Sequence, residues 1–303
     1  MKSRKRTPAF LTTTLGVYVL TAFAVLFSSS PVQAGDNKKL HRKIDLKGVQ
    51  SLKVEVDIDA GELRIGKGAE AHTFVGTLNY TADKFEGTID DKIGDETGRL
   101  RVKLDKKGWF DWKDDREGHL KARADLELPE DVLLDLDVNI KAGEEKLHLG
   151  GLNFEHLSLS LWAGELDLSF GEPDERTNLS VNDSEMYVDV NVGEIRLKHL
   201  GNAPFEKLIV DGGVGELTAD FSGEINRKRW VKLDMEIGEI KVVLPRDVGV
   251  KLTVSRSPFS SISVRGLRES GRVYYSDNYG ETEGELNIEI SMGIGSVEVV
   301  KRK

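Results

Sequence analysis

Six glutamates each follow a corner glycine of a repeat, Glu62, Glu144, Glu165, Glu194, Glu216 and Glu239 after Gly61, Gly143, Gly164, Gly193, Gly215 and Gly238, and a parallel stack would set Glu165, Glu194, Glu216 and Glu239 in one column. Stacked carboxylates offer the hard oxygen ligands that Ca²⁺ takes. The acidic column is therefore where a cation would bind, if the chain takes one. Stacked strands lie about 4.8 Å apart. Two like charges at that distance repel by about 1 kcal/mol in water and about 3–4 kcal/mol at an effective dielectric of 20. The alternative to a cation is that the side chains fan out at their corners, or meet Arg64, Arg196 and Lys241 two residues on.

Two aromatic groups come next. Trp109-Phe110-Asp111-Trp112 sits between Lys106-Lys107-Gly108 and Asp114-Asp115, and a second group comprises Tyr274, Tyr275 and Tyr279. Exposed aromatics of this kind stack on sugars or anchor a protein interface. Equally, they can cover the end of a stacked fold. His41, His72, His119, His148, His156 and His199 match no zinc spacing. There is no G-x-S-x-G, H-E-x-x-H or phosphate loop. Acidic residues are too many for spacing to single out a glycosidase pair. The sequence thus assigns no catalytic residue, no cofactor-binding residue and no metal ligand, and the chain reads as a non-enzyme.

A repeat must position these residues. Numbering from each corner glycine, with Gly295 as the seventh, apolar residues stand at −5 (Val56, Val138, Leu159, Val188, Val210, Leu233, Ile290). They stand again at −3, where Gly212 is the exception, and at −1 (Ala60, Ala142, Ala163, Val192, Val214, Ile237, Ile294). Beyond the glycine they fill +2 and +4, as in Leu166 and Leu168 or Ile195 and Leu197. In the second unit Leu147 and Leu149 take those two places if a two-residue insertion is allowed. A period of two marks strands with one buried face. Positions −1 and +2 are three apart, so a straight strand would turn its second apolar set to solvent. The chain must bulge or turn a corner at Gly-Glu, and glycine accepts that conformation. Each unit then reads strand, corner, strand, with −1 counted among the inward positions.

From Gly143 the steps are 21, 29, 22 and 23 residues to Gly238, then 57 to Gly295, which leaves room for a degenerate unit around Phe259–Val264. Such periods mean stacked solenoid units. The predicted fold is all-β: a parallel β-solenoid of strand, Gly-Glu corner, strand repeats, with a β-sandwich as the competing architecture. Residues 72–128 fit the register poorly. Segments 72–80, 84–93, 99–104 and 120–128 alternate like strands between turn clusters, and read as an N-terminal β-subdomain or cap. The expected divisions are 1–34, 35–128 and 129–303.

Residues 1–34 read as an export signal. Lys2, Arg4, Lys5 and Arg6 precede an uncharged stretch from Ala9 to Phe27, and Val32-Gln33-Ala34 supplies small residues for cleavage. An uncleaved anchor is the rival reading. Removing those four basic residues takes the formal charge from −9 to −13. A surface this acidic disfavours nucleic acid and anionic membranes. With 31 glycines and no cysteine, stability must come from stacked apolar columns and not from disulfides.

The runs DIDAGELRIGKGAEAHTFVGTLNY, LGGLNFEHLSLSLWAGELDLSF, VDGGVGELTADF and ISMGIGSVEVV resemble the toast-rack proteins of the LiaF-like C-terminal superfamily, whose domains are often labelled adhesins. The resemblance covers roughly residues 50–300. It implies a solenoid-like fold in the bacterial envelope without a known enzymatic site. The expectation is a non-catalytic exported protein, periplasmic, surface-bound or secreted, acting as an adhesin-like or scaffold module toward an envelope protein or a glycan. The alternatives are a regulatory partner of an envelope-stress system and a polysaccharide-acting enzyme on a β-helix.

Overall fold

The structure, a computed structural model, describes residues 36–108, 122–171, 184–255 and 257–302. The expected export signal and the Trp109, Phe110 and Trp112 cluster lie outside the described residues.

Among the described residues seventeen strands and one 3-10 turn make up the regular structure. Five long strands carry whole repeats: β8 (Leu133–His148), β9 (Asn153–Ser169), β10 (Glu185–Lys198), β11 (Lys207–Asp220) and β12 (Lys228–Leu244). A sixth, β17 (Glu285–Lys301), does the same at the far end. A seventh coil is split at its corner into β2 (Ser51–Ile58) and β3 (Gly61–Lys67). All seven run parallel in the order β2/β3, β8, β9, β10, β11, β12, β17. Corner glycine stands opposite corner glycine at every step. The predicted parallel β-solenoid is the observed architecture.

The alternation fills one continuous core. The −5 residues are buried in every coil, as are those at +4, and Gly212 at −3 makes room for Met235, whose side chain lies against it from the next coil. Two places depart from the predicted register. No insertion follows Gly143: Glu145 stands opposite Leu63 on one side and Leu166 on the other, and Leu147 opposite Leu168. Glu145, not Leu147, therefore occupies the inward +2 place. The −1 residues are also not uniformly inward. Ala60 is buried, but Val192, Val214, Ile237 and Ile294 face solvent. The reason is geometric: the corner takes up positions −2 to +1, and alternation resumes only at +2.

Each end of the stack is closed by a coil broken in two. At one end β6 (Thr97–Lys106) pairs with β2 and β7 (Ala122–Leu128) with β3. Beyond them β5 (Phe85–Ile93) runs antiparallel to β6, β4 (Thr73–Thr81) antiparallel to β7, and β1 (Asn37–Asp45) antiparallel to β4. Strands β4, β5, β6 and β7 of the irregular region thus lie at this end of the stack. At the other end β13 (Gly249–Ser255) and β14 (Phe259–Arg265) flank the two halves of β17. Ser260 stands opposite Gly295, so the degenerate unit expected near Phe259–Val264 is real, and β13 is its first half. Short strands β15 (Arg268–Ser270) and β16 (Val273–Tyr275) complete that edge. Residues Gly35–Lys303 form one compact unit, with paired strands on both sides of residues 128 and 129.

Candidate functional site

The feature that organises the surface is the corner line, where every coil turns at the same level. Its backbone is a glycine ladder. A Cβ on Gly164 would lie 1.8 Å from the carbonyl oxygen of Gly143, and one on Gly215 would lie 1.7 Å from that of Gly193. Gly193, Gly238 and Gly295 make the same close approach to the coil before them. No side chain fits such a gap, and the positive φ near 150° at Gly215 is itself open mainly to glycine. Only glycine permits this stacking, so the corner side chains are presented on a rigid, evenly spaced backbone.

One residue on, Glu165, Glu194, Glu216 and Glu239 form the column that the spacing predicts, and the structure extends it to six with Glu144 and Glu62, each opposite the next. Part of it is neutralised from within. Arg64 meets Glu62 at 3.4 Å, Lys146 meets Glu144 at 3.1 Å, and Arg196 bridges Glu165 at 3.3 Å and Glu194. Among the described residues Glu216 and Glu239 have no ion pair, and Lys241 reaches neither. Also among the described residues, no three acidic or histidine side chains converge as ligands of one metal ion.

Behind the corner, on the outer face of the first half-strands, Asp189, Asp211 and Asp234 form a second acidic column at −4. Tyr187 donates a hydrogen bond to Asp211 at 3.1 Å. Burial, and then the charge of Asp211 one strand away, hold the Asp189 carboxyl above its ordinary value. Between the two acidic columns lie the exposed −1 residues. Val192, Val214, Ile237 and Ile294 stand in register on four adjacent strands, with Phe259 beside Ile294 on a fifth. All five are 44–72% exposed, as is Trp162 at −2 on β9. The sequence reading had the four repeat residues as core, because an apolar residue at a corner looks like one more inward position. The available signal was the change from Ala60, Ala142 and Ala163 to larger side chains further along.

The other sequence candidates are dispersed. Tyr274 is buried in the core; Tyr275 and Tyr279 are half-buried, with ring centroids 5.4 Å apart, and Tyr279 donates to Asn287 at 3.1 Å. Glu145 is sealed between leucines, both its oxygens lack hydrogen bonds, and burial pushes its carboxyl up to about 8. Arg229 is a buried cation whose guanidinium donates to the carbonyls of Leu200 and Gly201 at 2.8 and 3.1 Å and lies over the Phe205 ring. It holds the 3-10 turn Leu200–Asn202 in place. Phe205 and Phe154 line the same small apolar recess. The larger clefts are open. One, of about 690 Å³, is lined by Lys38, Lys39, Glu62, Tyr80, Arg123 and Asp125, and Arg123 there donates to Asp125 at 2.9 Å. Neither Glu145 nor Arg229 lines it.

No helix among the described residues is long and apolar enough to cross a membrane. A family described as the N-terminal domain of toast_rack, DUF2154, matches residues 33–184. A second, described as cell wall-active antibiotics response LiaF, C-terminal, matches residues 179–299. Neither description names an enzymatic activity. No curated protein matches the chain. Similar solved structures include a candidate cell adhesion protein from Clostridium sporogenes, 18% identical, covering 88% of this chain and 100% of that one with a TM-score of 0.43. A candidate adhesin from Bacteroides fragilis is 11% identical over 86% of this chain and 97% of that one, TM-score 0.37. A candidate lipid binding protein from Parabacteroides distasonis is 11% identical over 89% and 98%, TM-score 0.31.

Proposed function

The chain belongs to the toast-rack/LiaF-like family, and from that premise we propose that it is a non-catalytic exported protein of the bacterial envelope, an adhesin-like or scaffold module that works by presenting a surface. The observation that carries this reading is the corner line. Seven coils hold its side chains in register on a backbone that glycine contacts keep from shifting. A site for catalysis needs groups with perturbed proton affinity converging in a cleft. Among the described residues the most perturbed carboxyl, Glu145, lies inside the core. A site for binding needs preorganised exposed groups, and the corner line supplies them. The basic start and apolar stretch of residues 1–34 support export.

The test is fractionation of the native host carrying the tagged chain, with N-terminal sequencing. The expected result is an envelope or secreted protein beginning at Gly35. A full-length cytoplasmic product overturns the reading. A second reading, a regulatory partner of an envelope-stress response system, is favoured by the match of residues 179–299 to the LiaF C-terminal family. It predicts that deleting the gene alters the transcriptional response to a cell wall-active antibiotic.

A further inference from the structure

We infer that the apolar ridge along the second half of the corner line docks a basic amphipathic helix of a partner protein, one whose apolar stripe is bordered on both sides by Lys or Arg. This rests on reading the chain as an interaction module.

The ridge comprises Val192, Val214, Ile237, Ile294 and Phe259, in register on β10, β11, β12, β17 and β14. The fold does not demand these side chains. The same place in the first three coils holds Ala60, Ala142 and Ala163 on the same corner backbone. A large apolar side chain that stays in water adds no burial to folding, and a contiguous row of them marks a binding surface. Glycine borders the row closely: Gly193, Gly215, Gly238 and Gly295 on one side, Gly213 and Gly293 on the other. The other two places on that side hold Asn191 and Glu236.

Charge selects the occupant. Over β10, β11 and β12, Glu194, Glu216 and Glu239 run along one flank and Asp189, Asp211 and Asp234 along the other, with Glu236 closer in; beside Ile294 the same two places hold Ser296 and Ser291. Arg196 and Lys232 neutralise part of this, at Glu194 and Asp234, and leave Glu216 and Glu239 for an outside cation. A second copy would set acid against acid on a chain already at −9. An anionic membrane or nucleic acid is repelled for the same reason. An apolar row between two acidic rows is the complement of a helix with an apolar stripe between two basic ones.

Length and pitch agree. Four strand spacings of about 4.8 Å make a row of about 19 Å, the span of about 13 helical residues at 1.5 Å each. The ridge repeats every ~4.8 Å and a helix every ~5.4 Å per turn, whereas one face of an extended strand repeats at only ~6.8 Å. Seated lengthwise, a helix sets its apolar side chains between successive knobs and its flanking cations over the carboxylates.

The test uses the full chain, expressed with its leader and purified, and a fluorescein-labelled 14-residue helical peptide with a leucine stripe bordered by lysines. Binding is read by anisotropy. We expect saturable binding that V214A/I237A weakens at least tenfold, while thermal stability is kept because alanine already serves at this place in the first coils. The triple change E194Q/E216Q/E239Q is expected to weaken binding several-fold and to flatten its salt dependence. Lys207→Ala, on the same sheet but away from the ridge, leaves it unchanged. Equal binding by V214A/I237A overturns the inference. So does equal binding of a peptide with glutamates replacing the lysines. Binding of phosphatidylglycerol vesicles through the ridge, or a dimer in sedimentation that V214A/I237A dissolves, also overturns it, by giving the ridge a different occupant. Failure in these assays leaves the envelope reading standing, because that reading is judged by location.

Discussion

The two halves of the corner line share one backbone and differ in what they carry. In the first half the −1 side chains are alanines, Ala60 is only 3% exposed, and the outer charges are matched: Lys141 to Asp59, Arg64 to Glu62, Lys146 to Glu144. In the second half the same places hold Val, Val, Ile and Ile, all open to solvent, and Glu216 and Glu239 have no partner among the described residues. Yet glycine approaches carbonyl equally closely in both: 1.9 Å for a Cβ at Gly143 and 1.7 Å at Gly238. The backbone requirement and the side-chain content are therefore independent. The first makes the stack; the second is free to be spent on recognition.

The largest effect should fall equally on both halves. Gly143→Ala and Gly215→Ala each force a methyl onto a neighbouring carbonyl, and each is expected to cost more than about 4 kcal/mol or to abolish folding, read as the urea midpoint. Gly280→Ala, at positive φ like Gly215 but with open space around it, should cost only about 1–2 kcal/mol. A mild effect at one corner and not the other would break the claim of a shared backbone.

Next comes a difference confined to the first half. Glu145 carries a carboxyl raised from 4.5 to about 8. The folded chain keeps a proton that the unfolded chain releases, so the penalty is absent below pH 4.5 and grows until about pH 8. Glu145→Gln should thus leave stability unchanged near pH 4 and raise it by about 3 kcal/mol at pH 7. A constant difference across that range would mean that the carboxyl reaches water.

The comparison sharpens within one coil. Leu217→Ala, at the buried +2 place of β11, should cost about 2–4 kcal/mol. Val214→Ala, three residues earlier on the ridge, should stay within about 0.5 kcal/mol. The last effect is electrostatic and comparably small: Arg196→Ala should cost under about 0.5 kcal/mol, and less at high salt, since its two glutamate contacts reach solvent.

The corner itself was legible in the sequence, because the parity break between −1 and +2 forces a turn wherever Gly-Glu recurs. The closing coils were half legible. Phe259–Val264 showed a repeat-like run, but its partner β13 has no corner glycine to align on, and β6 and β7 are separated by residues 107–121 where β2 and β3 are separated by two residues and the complete coils run unbroken. The ridge was hidden because hydropathy alone cannot say how many residues a corner consumes. Val214 and Val210 look alike in a pattern and lie on opposite sides of the chain. Glu145 was hidden by the opposite assumption, that a charge cannot take an inward place, so an insertion was invoked to move it. The aligned run Gly143-Glu144-Glu145-Lys146-Leu147 against Gly164-Glu165-Leu166-Asp167-Leu168 needed none.

The split coils at the two ends set the size of the molecule. At each end the chain runs past its own last complete coil, lays down two separate half-strands, and returns. Growth by duplication at a terminus is therefore blocked, and a new unit can enter only between complete coils, where glycine already meets glycine. Each such insertion would lengthen the stack by one strand spacing, about 4.8 Å, and leave both ends untouched. The fold is a ruler graduated from the inside, and the number of internal coils is the dimension along which such a stack can lengthen while both ends stay as they are.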